Sequence, residues 1–198
     1  MTLSRLRLVL WLLVGMAALA ATGLYAYTTM TRSTQAAGLG QGDYQLATTA
    51  GDPFTRDSLK GRPSMVFFGF THCPEVCPTT MAEMSTWFEQ LGEEGSDLRG
   101  YFVSVDPERD TPAILGDYVS WVSDRITGIT GTPEEIAKIA RAWGVYYEKV
   151  PLEGEDYTMD HTASVFLLDT KGEFQGTIAY GEDSTVAVQK LRNLLAKS

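Results

Sequence analysis

Basic residues are scarce in this chain. Its 198 residues include 16 lysines and arginines against 25 acidic residues, which gives a formal net charge of −9. Such an excess of acid argues against binding to nucleic acid or to an anionic lipid surface. A basic partner or a cation would suit it, but an ordinary solvated acidic surface explains the charge as well. The chain also lacks an internal repeat. The part after residue 42 has about 155 residues, which is the length of one domain with a sizeable core.

Cysteine is scarcer still, and both cysteines lie in one motif. The apolar run Met65–Phe70 predicts a buried strand that leads directly to Cys73 and Cys77. Each cysteine is followed by a proline, which disfavours a helical backbone at the residue before it. Pro78 suits the first position of a helix, where its missing N–H is no loss. The sequence therefore predicts that both cysteines lie in the turn before a helix that begins near Pro78.

The position of Cys73 and Cys77 favours reactive or metal-binding thiols. The positive end of a helix dipole lowers a thiol pKa, and the thiolate is both the nucleophile of disulfide exchange and a ligand for soft metals. A structural disulfide also fits the spacing. Its loop of about five residues would contribute only roughly 2 kcal/mol. A domain that buries ~70% of its surface does not need such a bridge.

Histidine is as rare as cysteine, with His72 and His161 as the two examples. Neighbouring residues at a strand end point to opposite faces, so His72 is predicted to diverge from Cys73. His161 precedes an apolar strand, and a loop histidine there is most often an ordinary polar residue. Two thiolates with one imidazole suit Cu(I) and can hold Cu(II) or Zn(II), whereas a structural zinc prefers four ligands. The residues alone leave the role of His161 open.

Charge is absent from Leu8–Tyr27, and the residues before it include Arg5 and Arg7. Twenty residues at helical rise cover ~30 Å, the thickness of a bilayer core. We therefore predict a single-pass membrane anchor in residues 1–27, with the N-terminus in the cytoplasm. A cleavable signal peptide is the alternative, because Ala18–Ala20 fits a cleavage site. Either way the rest of the chain lies outside the cytoplasm, on the periplasmic side of the inner membrane, where disulfides are permitted.

The rest of the chain is interpreted as two parts. Residues 28–42 are small, polar and rich in glycine, which predicts a flexible linker. Residues 43–198 alternate between strand and helix patterns, which predicts an α/β sheet flanked by helices. A hairpin turn at Asp169–Gly172 makes that sheet mixed. A strand that leads to a cysteine pair at a helix start is the thioredoxin arrangement, although here three residues rather than two separate the cysteines.

The boundaries of these elements follow from periodicity and from turn residues. The predicted strands are Asp43–Ala50, Met65–Phe70, Leu98–Val105, Arg125–Thr130, Val145–Val150, Ala163–Leu168 and Phe174–Tyr180. The predicted helices run from Pro78 to Leu91, from Thr111 to Trp121, from Thr132 to Trp143 and from Thr185 to Lys197.

An acidic loop follows the third of these strands, and it contains Asp106 and Arg109. Most of it is explained as a helix entry, with Asp110 or Thr111 as the N-cap and Pro112 at the first helical position. Loops after strand carboxyl ends meet at one edge of an α/β sheet. We therefore expect Asp106 and Arg109 to lie near the cysteines.

Three strings together resemble the Sco/SenC family. They are Phe68–Thr80, which contains Cys-Pro-Glu-Val-Cys-Pro, then Val103–Pro112, and then Asp160-His-Thr162. They occur in the family's order and spacing across the whole predicted domain, and the predicted anchor matches too. One departure is Glu75, where the family more often has aspartate, and this position should not affect ligation.

The resemblance implies a thioredoxin-like domain on a membrane anchor, with Cys73, Cys77 and His161 as copper ligands for Cu(I), Cu(II) or both. It implies a metallochaperone that delivers copper to the CuA centre of cytochrome c oxidase subunit II, with other copper chaperones as further partners. The alternative role is that of a thiol-disulfide oxidoreductase, in which Cys73 and Cys77 are a redox-active pair that keeps the cysteines of subunit II reduced. A peroxide reductase of related fold lacks support, because this cysteine pair is too close to match a distant resolving partner.

Overall fold

A computed structural model describes residues 3–154 and 156–197. The chain divides into two compact units, residues 1–38 and residues 39–198. The first unit consists of the helix α1 (Leu3–Ala37). Its segment Leu10–Thr28 is long and apolar enough to cross a membrane, although a signal sequence would have the same character.

The helix α1 continues ten residues beyond Tyr27, where the anchor was predicted to end. It therefore includes most of residues 28–42, which the sequence predicts as a flexible linker. The physical reason is that the chain has no glycine or proline between Gly23 and Gly38, so nothing in this stretch breaks the helix.

The second unit contains nine strands and four helices within the described residues. Its strands are β1 (Leu46–Thr48), β2 (Pro53–Phe54), β3 (Ser64–Gly69), β4 (Arg99–Ser104), β5 (Ile126–Thr130), β6 (Tyr147–Pro151), β7 (Tyr157–His161), β8 (Val165–Leu168) and β9 (Phe174–Ile178). Its helices are α2 (Val76–Leu91), α3 (Pro112–Ser120), α4 (Pro133–Trp143) and α5 (Ser184–Leu195).

Seven of the strands form one sheet in the order β2-β1-β5-β4-β3-β8-β9, and β6 pairs with β7 in a separate two-stranded sheet. The central strands β3, β4 and β5 are parallel. The strands β8 and β9 form the predicted hairpin and pair antiparallel with β3 through β8. The prediction of a mixed α/β sheet is therefore confirmed.

The centre of the core is β3, whose six residues are all buried. Successive side chains of a strand point to opposite faces. Phe67 packs on Phe102 of β4, which in turn contacts Tyr118 of α3. Phe68 instead packs on Trp143 of α4. Helices therefore cover both faces of β3, which explains why this strand is a continuous apolar run rather than an alternating one.

The helix caps follow their local signals. The Thr111 side chain accepts a hydrogen bond from the Ile114 N–H at the start of α3, and the Thr132 side chain accepts one from Glu135 at the start of α4. The helix α4 ends at Gly144 in the left-handed region, with φ of 62°. Of the two residues proposed as the cap of α3, Thr111 is the one that has this role.

Two predicted boundaries near the cysteines are wrong. The helix α2 begins at Val76, so Cys77 lies in its first turn and not before it. Proline is tolerated in the first turn of a helix, where its missing N–H is no loss. Cys77 therefore lies in the helix although a proline disfavours a helical backbone at the residue before it. His161 is the last residue of β7 and pairs with Tyr147 of β6, whereas the sequence analysis placed it in a loop. The strand β7 is short and half-polar, so its alternation was too weak to detect.

Candidate metal centre

Cys73 lies in the turn that connects β3 to α2. The turn is anchored to the body of the domain by Thr71, whose backbone N–H donates to Asp110 Oδ2 over 3.1 Å and whose hydroxyl donates to Oδ1 over 2.6 Å. Asp110 also accepts a hydrogen bond of 2.6 Å from the Ser104 hydroxyl at the end of β4. The sequence pattern indicates Asp110 only as a possible helix cap and gives no signal for its role in holding this turn.

Cys77 is completely buried in the first turn of α2. Its backbone N–H donates to Cys73 Sγ over 3.2 Å, and no side chain of the N-cap residue Glu75 caps the helix. The Cys73 sulfur therefore takes the place of a conventional capping oxygen. This contact holds the two sulfurs on the same side of the helix start, where the helix dipole favours negative charge.

Gly69, the last residue of β3, lies directly beneath Cys77. A Cβ atom at this position would lie 2.8 Å from Cys77 Sγ and 2.9 Å from the Phe102 ring. Both distances are shorter than normal van der Waals contacts, and both neighbours are buried. The close approach of sheet and helix at the metal centre therefore depends on this glycine.

We predict that Gly69→Ala displaces Cys77 and lowers both the melting temperature and the copper affinity of the protein. Overpacking of this kind costs about 1–3 kcal/mol. Gly116→Ala in α3 is the matched control, because its nearest neighbour would be 3.5 Å away and a helical alanine is preferred by about 0.5–1 kcal/mol. Thermal unfolding and copper titration of both variants check the prediction. Equal behaviour of the two variants would contradict it.

His161 approaches the cysteines from the end of β7. Its Nε2 lies 3.4 Å from Cys77 Sγ, and its Nδ1 lies 3.0 Å from the Thr162 carbonyl oxygen. A carbonyl can only accept, so Nδ1 carries the proton and Nε2 presents a lone pair to the sulfur. The ring is also held edge-on by Phe67 and Phe70, at centroid distances of 6.0 and 5.8 Å. This is the orientation that a metal-binding imidazole needs.

The structure brings together the three side chains that the sequence analysis proposed as ligands. One donor atom from each of Cys73, Cys77 and His161 lies within 4.8 Å of the others, and both cysteines are free thiols. His72 is outside this group: its side chain is exposed and its Nδ1 contacts the Thr71 hydroxyl. Two soft sulfurs and one imidazole nitrogen form a group that could bind copper.

The two thiols have very different proton affinities. The hydrogen bond with Cys77 lowers the pKa of Cys73 to about 4 against the opposing effect of burial. The same hydrogen bond from Cys73, together with burial, raises the pKa of Cys77 far above its ordinary value. The two opposite shifts favour a state in which the pair holds a single proton, with Cys73 as the thiolate and Cys77 as the thiol.

The loop after β4 lies beside the cysteine turn, as predicted. The guanidinium of Arg109 lies 5.8 Å from the Phe70 ring centroid and 3.6 Å from that of Tyr157. Tyr157 begins β7, the strand that ends at His161, and no signal in the sequence pointed to it. A cleft of about 270 Å³ opens next to these residues, and its lining includes Cys73, Val76, Met159 and His161.

Comparison with known proteins identifies the family. The SCO1/SenC family model matches residues 32–196. The chain belongs to the SCO1/SenC family. It is 40% identical over 136 residues to human "Protein SCO1 homolog, mitochondrial", a match that covers 67% of this chain and 45% of the relative. It is 32% identical over 155 residues to yeast (Saccharomyces cerevisiae) "Protein SCO2, mitochondrial", covering 76% of this chain and 51% of the relative. The chain thus spans about half the length of these relatives.

Solved structures of SCO1/SenC proteins match the fold of this one. ScoI of Bradyrhizobium japonicum, solved with copper bound, is 40% identical with a TM-score of 0.72, and the match covers 79% of this chain and 99% of that one. Yeast Sco1 with copper bound is 31% identical with a TM-score of 0.75, covering 81% and 90%. The predicted thioredoxin-like fold and Sco/SenC resemblance are confirmed, and the present family member has a Cys-Cys-His group that could bind copper.

Proposed function

We propose that this protein is a copper metallochaperone that holds one copper ion between Cys73, Cys77 and His161. The observation that carries the proposal is the meeting of the three donor atoms within 4.8 Å. Two thiolates and one imidazole match Cu(I) and also accept Cu(II). The copper-bound structures of two similar Sco proteins support copper as the cargo.

Release of the cargo requires an open coordination position. Three protein donors leave copper accessible on one side, and the cleft beside Cys73 gives a partner's thiolate a route to it. Copper then passes by ligand exchange, in which each new sulfur bond replaces one to this protein. Following the family, we propose the CuA centre of cytochrome c oxidase subunit II as the acceptor and another copper chaperone as a source.

The same two thiols make the site sensitive to oxidation. Copper binding needs both sulfurs reduced, because a Cys73–Cys77 disulfide would remove two of the three donors. The state of this pair would therefore decide whether the protein can accept copper. We expect the oxidised protein to retain no copper, and the reduced protein to recover it after treatment with a phosphine reductant.

We further propose that residues 1–27 anchor the protein in the inner membrane, that residues 28–42 connect the anchor to the domain, and that residues 43–198 work in the periplasm. The apolar helix α1 supports this arrangement. The mass of the mature protein tests it, because cleavage near Ala20 would remove the anchor. Protection of an N-terminal tag from protease added outside the cytoplasmic membrane tests the orientation.

Copper stoichiometry and X-ray absorption of the full chain in detergent test the main proposal. The reduced protein is expected to hold about one copper ion with sulfur and nitrogen neighbours, because the proposed ligands are two cysteines and one histidine. The Cys73→Ser/Cys77→Ser variant is the comparison, because a hydroxyl neither ionises at neutral pH nor binds copper strongly. Equal copper retention by the two proteins would overturn the proposal.

A second candidate function is thiol-disulfide reduction, and the unequal thiols favour it. Cys73, as the more exposed thiolate, would attack a partner disulfide and form a mixed disulfide. Cys77 would then attack Cys73, forming a disulfide in this protein and releasing the partner with two electrons and reduced thiols. In this reaction His161 binds no metal, and its role is either dispensable or limited to tuning the thiol pKa. Partner reduction that persists in His161→Ala without copper would separate this function from copper delivery.

Proton release on copper binding follows from the pKa values of the two thiols. Because Cys73 is already a thiolate near neutral pH and the pKa of Cys77 is raised, binding should displace about one proton rather than two. Copper affinity should therefore rise with pH, by about tenfold per pH unit between pH 7 and pH 8, where an ordinary imidazole is already neutral. Calorimetry in buffers of different ionisation enthalpy measures this number. Release of two protons at pH 7 would contradict it.

A further inference from the structure

The hairpin that carries His161 has little support of its own. Among the described residues, β6 and β7 pair only with each other and not with the seven-stranded sheet. A two-stranded hairpin is marginally stable in water by itself. A cleft of about 420 Å³ separates part of it from the body of the domain, lined by residues that include Pro107, Ile136 and Met159. Apart from Met159, which is buried in the core, the position of His161 therefore depends on side-chain contacts between the hairpin and the domain.

Several of these contacts involve Arg109, from the loop after β4. Its Nε lies 2.5 Å from Asp106 Oδ2, its Nη1 donates to the Tyr157 carbonyl oxygen over 2.9 Å, and its guanidinium stacks on the Tyr157 ring at 3.6 Å. The Tyr157 hydroxyl donates to Asp106 Oδ1 over 2.8 Å. One arginine and one carboxylate thus hold both the backbone and the side chain of the first residue of β7.

These contacts are shielded from solvent. The side chain of Asp106 is 3% exposed and that of Arg109 is 17% exposed. Charges in such a position are screened little, and removal of one partner leaves the other buried without compensation. By contrast, the neighbouring pair of Lys149 and Glu108 also joins the hairpin to this loop but is largely exposed, at 47% and 63%. Exposed ion pairs of that kind contribute little to the stability of a fold.

We propose that Arg109 is a positioning residue for the metal centre, which with Asp106 and Tyr157 holds β7 so that His161 faces Cys77. This rests on the proposed function, in which His161 is a copper ligand. Arg109 also contacts the surroundings of the metal centre through Phe70, whose ring lies 5.8 Å from the Arg109 guanidinium and 5.8 Å from the imidazole ring of His161. Arg109 thus acts on His161 through Tyr157 at the start of β7 and through Phe70 beside the end of β7, without contacting copper.

A double-mutant cycle in the full-length protein tests the proposal. Arg109→Gln is expected to lower copper affinity about 10–100-fold, the range for groups that orient a metal ligand. In a His161→Ala background, the same substitution should cause no further loss, since it would act only through the imidazole. The nitrogen hyperfine splitting in the Cu(II) spectrum should weaken in Arg109→Gln. In the copper-free protein, amide hydrogen exchange should accelerate in β6 and β7.

Arg125→Gln is the matched control. Arg125 also stacks on an aromatic ring, that of Phe88 at 4.2 Å, and donates to the Gly95 and Leu98 carbonyl oxygens. It lies at the start of β5, at the sheet edge opposite the cysteines, because β3 and β5 are both parallel to β4. Its loss should reduce stability while copper affinity and the nitrogen splitting stay unchanged. Tyr157→Phe, which keeps the ring and removes one hydrogen bond, is used if Arg109→Gln does not fold.

The outcomes separate the two proposals. Unchanged copper affinity in His161→Ala would overturn the ligand set itself. A loss in His161→Ala with no effect of Arg109→Gln or Tyr157→Phe would overturn only the positioning role. An equal loss from Arg109→Gln in both backgrounds would also overturn it, because the arginine would then act on the whole fold. Partial recovery of copper affinity in Arg109→Lys would support the positioning role, because lysine keeps the charge but not the planar guanidinium that binds two partners.

Discussion

Replacing His161 with alanine is expected to lower copper affinity by more than about 100-fold, because even substitution of a group that only orients a ligand costs 10–100-fold. The variant loses one of three donors, and neither Cys73 nor Cys77 can supply a second bond. Stability should change much less. The imidazole packs edge-on against two phenylalanines, and its loss should cost about 1 kcal/mol, or roughly 2–4 °C in melting temperature.

The control for this variant is His72→Ala. His72 is adjacent to Cys73 in the chain, but its side chain is exposed and its Nδ1 contacts the Thr71 hydroxyl. Copper affinity should therefore stay within a few-fold of the unmodified protein. Competition against a chelator of known copper affinity measures both variants. A similar loss in the two, or no loss in His161→Ala, would contradict the assignment of His161 as a ligand.

The parts of the fold predicted from the sequence are those with local signals. The apolar run before Cys73 identifies β3, and threonine followed by proline identifies the starts of α3 and α4. The predicted start of α2 rested on Pro78 and lies two residues too late, because the helix extends before this proline to Val76 and is capped by a sulfur. No rule based on capping oxygens can anticipate Cys73 accepting the Cys77 N–H.

The site depends on contacts between distant parts of the chain, which local patterns do not encode. Cys77 and His161 are 84 residues apart, and Arg109 and Tyr157 are 48 apart. The family resemblance implied His161 as a ligand, whereas the residues alone left it open. Only the three-dimensional structure assigns Tyr157 a place near the centre, because a short strand such as β7 has no distinctive pattern.

Replacing Asp110 with alanine is expected to destabilise the domain by about 3 kcal/mol or more, since a buried donor left without its acceptor costs roughly 1–3 kcal/mol. Three donors would lose their partner: the Thr71 N–H, the Thr71 hydroxyl and the Ser104 hydroxyl. Asp110 is 0% exposed, so water cannot replace the carboxylate. The melting temperature should fall by about 6–12 °C. Copper affinity should fall as well, because Thr71 holds the turn that contains Cys73.

Asp169→Ala is the matched control for this prediction. The Asp169 carboxylate also accepts three hydrogen bonds, from Lys171, Glu173 and Gln175, but it lies in the partly exposed turn between β8 and β9. Water can satisfy those donors, so the loss should be about 1 kcal/mol and copper binding should not change. Asp110→Asn, which keeps one acceptor oxygen, should fall between the two. If urea unfolding gave the same loss for Asp110→Ala as for Asp169→Ala, burial of the carboxylate would not be what anchors the cysteine turn.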